Sequence, residues 1–138
     1  MDKRRVAEDF LRAEEAGEIE SRVAACAEDV VIYDAGQPPA VGRAAARALM
    51  TGFRDVTSRR TFEVLSVAEE GNVVYAWWQS HVDFRAGVTL GPVTTTRPFD
   101  VTVSGVHRFL FDATGHIREL DIAHETTSTI EGAVRAAR

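Results

Sequence analysis

Apolar and polar residues recur along this chain with two different periods, and the change of period divides it. From Arg4 to Ala16, Val6, Phe10 and Ala13 recur every three to four positions with charges between them, which predicts a helix. Gly17 is placed to stop it. Glu18 to Ala27 continues as a second helix with Ile19, Val23 and Cys26 on one side. Val30-Val31-Ile32-Tyr33 is β-branched and aromatic and reads as a short strand. Asp34 to Pro39 is a loop, because its Gly and paired prolines suit neither a helix nor a central strand. Gly42 breaks the chain again, and Arg43 to Phe53 is Ala-rich and helical. Beyond this the period falls to two. Strands are predicted over Thr61 to Ala68, Val73 to Arg85, Val101 to Phe111 and Ile117 to Glu125. Turns fall at Glu69-Glu70-Gly71-Asn72 and Asp112-Ala113-Thr114-Gly115. Ala86 to Pro98 is irregular, and the tail from Thr129 to Arg138 reads as a short helix.

Helices first and antiparallel hairpins later predict an α+β fold. N-terminal helices packed on a curved, mostly antiparallel sheet form a cone-shaped α+β barrel with one open end. Such a mouth is a natural pocket for a small ligand. No internal repeat or low-complexity linker divides residues 1–138, so one domain is expected.

Composition narrows the function. The 138 residues are 45% apolar and 27% charged, ordinary for a globular chain. The balance of 16 basic against 21 acidic side chains leaves a net charge of −5. An acidic domain without a basic stripe argues against nucleic acid or an anionic membrane as partner, and Arg59-Arg60 is too short to change that. The single cysteine, Cys26, sits in an apolar stretch and is expected to be a small buried hydrophobe. No apolar segment follows the basic N-terminus, and Val73 to Trp78 is far too short to span a membrane. A cytoplasmic location is expected.

Three stretches give the chain a family likeness. They are Ala16-Gly17-Glu18-Ile19-Glu20; Ala27-Glu28-Asp29-Val30 with Tyr33-Asp34-Ala35-Gly36-Gln37-Pro38-Pro39-Ala40-Val41-Gly42-Arg43; and Arg108-Phe109-Leu110-Phe111-Asp112-Ala113-Thr114-Gly115-His116-Ile117. Over roughly residues 5–128 the chain resembles the superfamily named after nuclear transport factor 2, with its cystatin-like cone. That superfamily includes ketosteroid isomerases, SnoaL-type polyketide cyclases and limonene-epoxide-type hydrolases. The second stretch is the most specific and looks closest to ketosteroid isomerase. The fold does not settle the chemistry, so each candidate residue has to be argued.

Asp34 ends a strand just before the Pro-Pro loop, in an apolar context. Desolvation at the mouth of an apolar cavity raises a carboxyl's affinity for its proton, which suits a general base near neutral pH. The resemblance puts Asp34 on the isomerase's proton-shuttling aspartate. It puts Phe10, which has no hydroxyl, where the isomerase has a tyrosine, and His107 where it has a protonated aspartic acid. An imidazole at that place can still donate to a developing enolate. His81 and Asp83 share one face of the long strand with Trp77, and together form a plausible acid/base dyad. On the last strand Leu120, Ile122 and His124 are expected to line the pocket, with Glu119 and Asp121 outside. Phe53 and Trp77 are candidate pocket walls, the segment Arg85 to Pro98 a candidate lid, and Glu63 a weaker candidate partner for Asp34. The histidines carry no recognised ligand spacing, and no metal or cofactor is expected.

The leading expectation is a small pocket enzyme that moves a proton on a hydrophobic, carbonyl-bearing polyketide- or steroid-like ligand, by isomerisation or cyclisation. Asp34 is the base, His107 polarises the oxygen, and Asp83 with His81 assists. Epoxide hydrolysis or epoxide-opening cyclisation is the alternative within the fold. A non-catalytic ligand-binding or dimerisation module is the alternative outside catalysis. The resemblance also implies a homodimer through the sheet's outer face.

Overall fold

The first helix, α1 (Lys3–Ala16), begins at Asp2, whose carboxylate accepts from the Arg5 amide at 3.1 Å. It ends at Gly17, whose φ of 74° lets its N–H turn back to the last carbonyls. A β-carbon there would also stand 3.1 Å from the Arg60 guanidinium, so glycine is required twice over. Ala7, Phe10 and Leu11 bury the inner face of α1, at roughly 1.5–3 kcal/mol for each large side chain.

The computed structural model describes residues 2–34, 37–90, 92–124 and 127–137. Ala35 and Gly36 of the predicted loop, Gly91, Glu125 and Arg138 lie outside the described residues. After α1 come α2 (Glu20–Ala25), β1 (Cys26–Asp34), β2 (Ala40–Val41) and α3 (Arg43–Val56). Then follow β3 (Thr57–Arg60), β4 (Glu63–Glu70), β5 (Val73–Phe84), the small hairpin β6 (Thr89–Leu90) and β7 (Val93–Thr94), β8 (Phe99–Phe111), β9 (Ile117–His124) and α4 (Thr127–Ala136). Seven strands make one strongly curled sheet in the order β2-β1-β9-β8-β5-β3, with β4 also on β5. Only β1 and β9 pair in parallel. Helices α1, α2 and α3 pack into the curl, so the observed architecture is the predicted cone-shaped α+β fold. Among the described residues, no helix is long and apolar enough to cross a membrane.

Tertiary pairing moved several boundaries. The second helix stops at Ala25, because Cys26 already pairs with Ile117 of β9. Strand β3 was not predicted. Its inward residues are Thr57 and Arg60, so it lacks the apolar alternation that marks a strand. Both are satisfied all the same: Thr57 Oγ1 donates to the Phe53 carbonyl at 2.9 Å and Arg60 Nε to that of Glu14 at 2.7 Å. Within the segment 85–98, Thr95 Oγ1 accepts from the Gly87 and Val88 amides at 3.1 and 2.9 Å, and the Thr96 amide donates to the Ala137 carbonyl after α4 at 3.0 Å.

The longest ladder joins β5 to β8, from Val73↔Leu110 to Phe84↔Phe99 without a register shift. Residues of even number on β5 and odd number on β8 turn into the curl; their neighbours turn out. Gly105 lies directly across from Trp78, whose indole lies against its backbone. A β-carbon at residue 105 would stand 2.5 Å from the indole Cζ2 and 2.6 Å from the Ala123 carbonyl oxygen. Gly105→Ala is therefore expected to destabilise the fold by about 1–3 kcal/mol, read as a lower urea midpoint with an unchanged slope. Cys26 is fully buried, and burial pushes its thiol up to about 11. An aromatic disulfide reagent at pH 8 should therefore modify Cys26 only at the rate of unfolding; fast labelling of the native protein would contradict the packing.

Candidate active site

The curl encloses a cavity of about 140 Å³. That is near the ~150 Å³ that holds a benzene ring and below the ~300 Å³ where pockets for larger ligands begin. Its wall is built from Phe10 of α1, Met50 and Phe53 of α3, Phe62, the inward side of β5 and β8, and Leu120 and Ile122 of β9. Of the candidates read from the sequence, the cavity brings together Asp34, His107, Phe10, Phe53, Leu120, Ile122 and His124. No described residue of 85–98 lines it.

Asp34 stands at the end of β1, in parallel register with Ile122. His124 lies two residues further along β9, on the same face. Their side chains therefore meet, His124 Nε2 3.6 Å from Asp34 Oδ1. The carboxylate keeps 30% of its side-chain surface and the imidazole 19%, so the pair forms a half-shielded rim on an apolar hollow.

A second carboxylate–imidazole pair lies deeper. Trp78 Nε1 donates to His107 Nδ1 at 2.7 Å, and the His107 side chain is only 2% exposed. His107 Nε2 stands 3.7 Å from Glu14 Oε2, too far for a direct hydrogen bond, and has no hydrogen-bond partner among the described residues. A buried donor left so costs about 1–3 kcal/mol. Burial by itself pushes the Glu14 carboxyl up; the adjoining His107 imidazole and the Arg22 and Arg60 guanidiniums outweigh it and hold the group below the ordinary glutamate range. Arg22 is itself buried, with Nε donating to the Glu18 carbonyl at 3.0 Å and its guanidinium 5.7 Å from the Phe10 ring centre. The cavity thus carries a cation-neutralised carboxylate at its floor and an imidazole-paired one at its rim.

Three sequence candidates lie elsewhere. Trp77, His81 and Asp83 have odd numbers on β5 and so turn to the outer face of the sheet. Trp77 is 42% exposed and stacks on Tyr75. His81 Nε2 sits 3.3 Å from both Asp83 and Asp100, a charge cluster on the outside, with Nδ1 bonded to Thr102 Oγ1 at 2.9 Å. The expected dyad exists as a contact, but does not face the cavity. Glu63 is likewise exposed on β4 and does not reach Asp34's cavity. Asp121 is outside as expected, bonded to Arg108 at 3.1 Å.

Glu14, Arg22 and Ser80 are polar site residues that sequence reasoning missed. The signal for Glu14 was present: it continues the spacing of Ala7 and Phe10 along the buried stripe of α1, and a carboxylate on an apolar stripe demands a partner. Because its carboxyl is held low when folded, Glu14 contributes stability above the ordinary value of 4.5, and that contribution is lost as pH falls through the lower folded value. Glu14→Gln should thus lower the denaturation midpoint at pH 7, and the gap to the parent should shrink at pH 3.5. A gap independent of pH would contradict the ionised assignment.

The profile of the SnoaL-like domain family matches residues 7–120. Among solved structures, a candidate polyketide cyclase from Pseudomonas putida superposes with a TM-score of 0.85 at 17% identity, covering 97% of this chain and 98% of that one. A candidate SnoaL-like polyketide cyclase from Shewanella denitrificans gives 0.83 at 16%, covering 97% of each chain. An LEH-like epoxide hydrolase from M. tuberculosis gives 0.67 at 19%, covering 96% of this chain and 90% of that one. At these identities the likeness is one of fold. No curated protein matches the chain closely enough to count as a relative. With its helices in the curl of one sheet and a family profile over most of its length, this chain belongs to the SnoaL-like domain family of the NTF2-like superfamily.

Proposed function

We propose that the protein is a cofactor-independent acid/base enzyme that isomerises or cyclises a small hydrophobic, carbonyl-bearing ligand of polyketide type. The observation that carries this reading is Asp34, paired with His124 at the rim of an apolar cavity whose floor holds further polar groups. The ligand buries its apolar body against Phe10, Phe53, Leu120 and Ile122, and this burial supplies most of the affinity. Asp34 takes a proton from the carbon beside the carbonyl. The C–H electron pair becomes the C=C bond of an enol or enolate, and Asp34 returns the proton at a second carbon, or the enolate carbon adds to a second carbonyl of the ligand, whose C=O π pair becomes an alkoxide that takes the proton back from Asp34. His124 keeps the carboxylate oriented, and His107 donates from Nε2 to an oxygen at the ligand's buried end, which anchors the ring. The volume favours one ring over the four-ring body of a steroid. The same reading takes the protein as a homodimer through the sheet's outer face, where Leu65 and Trp77 are exposed.

A second reading, epoxide opening, is favoured by one observation: Glu14 gives the cavity a carboxylate besides Asp34, so one of them can activate the attacking water while His107 donates a hydrogen bond to the epoxide oxygen. The test is Asp34→Asn, assayed on single-ring β,γ-enones, polyketide ring precursors and epoxides. Loss of about 10²–10⁴ in kcat on the enones or precursors, with the fold intact by circular dichroism, is the expected result. An unchanged rate removes Asp34 as base. Turnover of epoxides alone selects the second reading, and saturable binding without turnover of any substrate leaves a binding module.

A further inference from the structure

The floor of the cavity carries more information than the presence of a donor. An indole N–H only donates, and Trp78 aims its own at His107 Nδ1. Nδ1 must therefore present its lone pair. A proton there would set two N–H groups head to head inside the core. This fixes His107 as the neutral imidazole with its proton on Nε2, and that N–H is the one without a hydrogen-bond partner among the described residues. Glu14, 3.7 Å away, lies beside the Arg22 and Arg60 guanidiniums, which favour its carboxylate, and a carboxylate only accepts. Arg22 adds a neutralising charge beside it, with its Nε given to the Glu18 carbonyl.

We propose that this floor is a hydroxyl-recognition site: one ligand hydroxyl, a phenol or an enol on a single apolar ring, accepts from His107 Nε2–H and donates to the Glu14 carboxylate. An oxygen about 2.8 Å from each atom bridges the gap. Other oxygens fail on one side. A ketone or ether accepts from His107 but turns a lone pair on the Glu14 carboxylate. A ligand carboxylate meets the same repulsion with a full charge. An ammonium has nothing to offer the His107 N–H. Only a group that both accepts and donates satisfies the two partners together. The ring it is attached to lies among Phe10, Phe62 and Leu120, in a volume that suits one ring. This inference rests on the proposed function only in taking this cavity as the ligand site. It adds that the substrate carries a hydroxyl at its buried end, in addition to the carbonyl whose neighbouring carbon Asp34 deprotonates.

The test uses the full chain and calorimetric titration with 4-methylphenol and its near-isostere 4-fluorotoluene, which lacks the proton. The phenol should bind at least about tenfold more tightly. Glu14→Leu should bring the phenol down to the level of the fluoro compound, whose affinity stays within about threefold of its parent value. A nitrogen-15 spectrum of the unaltered protein needs no variant, and should show the His107 proton on Nε2 and an unprotonated Nδ1. Equal affinities for the two compounds, or a protonated His107 Nδ1, would overturn the proposal. Asp34→Asn separates the two claims, because it should abolish turnover and leave the phenol preference in place. Turnover that depends on Asp34 in a protein with no phenol preference would sink the hydroxyl site and leave the proposed function standing.

Discussion

The ladder between β5 and β8 is the constraint on which the rest of the molecule depends. It runs its full length in one register, so every side chain on both strands is assigned to the inside or the outside of the curl by whether its number is odd or even. A slip of one residue would turn Trp78, Ser80 and Val82 out to solvent and carry Trp77, His81 and Asp83 into the core. Glycine at position 105 lets the sheet accept the Trp78 indole flat against it. That indole in turn holds His107, so the chemistry of the floor descends directly from the pairing of two strands.

A cavity of this kind sets polar groups against their surroundings. Most of its wall is aromatic or aliphatic, yet Glu14, Arg22, Asp34, Ser80, His107 and His124 all open onto it. Burying a carboxylate is expensive unless charges of the opposite sign come with it. Glu14 is accompanied by Arg22 and Arg60, and both guanidiniums are held by backbone carbonyls and laid near aromatic rings. Such an arrangement does not maximise stability. An apolar floor of the same shape would fold at lower cost.

Family membership fixes the frame and leaves the chemistry to the side chains. The SnoaL-like profile and the superposed structures account for the cone, its open end and the place of the helices. A likeness of fold at these identities assigns no role to Phe10, His107 or Glu14. The proposed chemistry accordingly rests on these residues and not on the names of structural neighbours.

The sequence by itself determined the order of elements, the α+β class and the inner face of most strands, because apolar periodicity reports directly which side a residue buries. On β9 this reached single residues: Leu120, Ile122 and His124 inside, Asp121 outside. It correctly grouped His81, Asp83 and Trp77 on one face of β5, but composition could not say which face was concave, since both sides of that strand carry aromatic residues. Nor could it find β3, whose buried residues are polar, or end α2 before Cys26, where pairing with β9 overrides helical spacing. The meeting of Glu14 with His107 and of Asp34 with His124 joins residues some ninety positions apart. Only the tertiary structure decided those contacts, because a pattern along the chain records what each residue prefers to bury against, while the curl of the sheet settles which residue it meets.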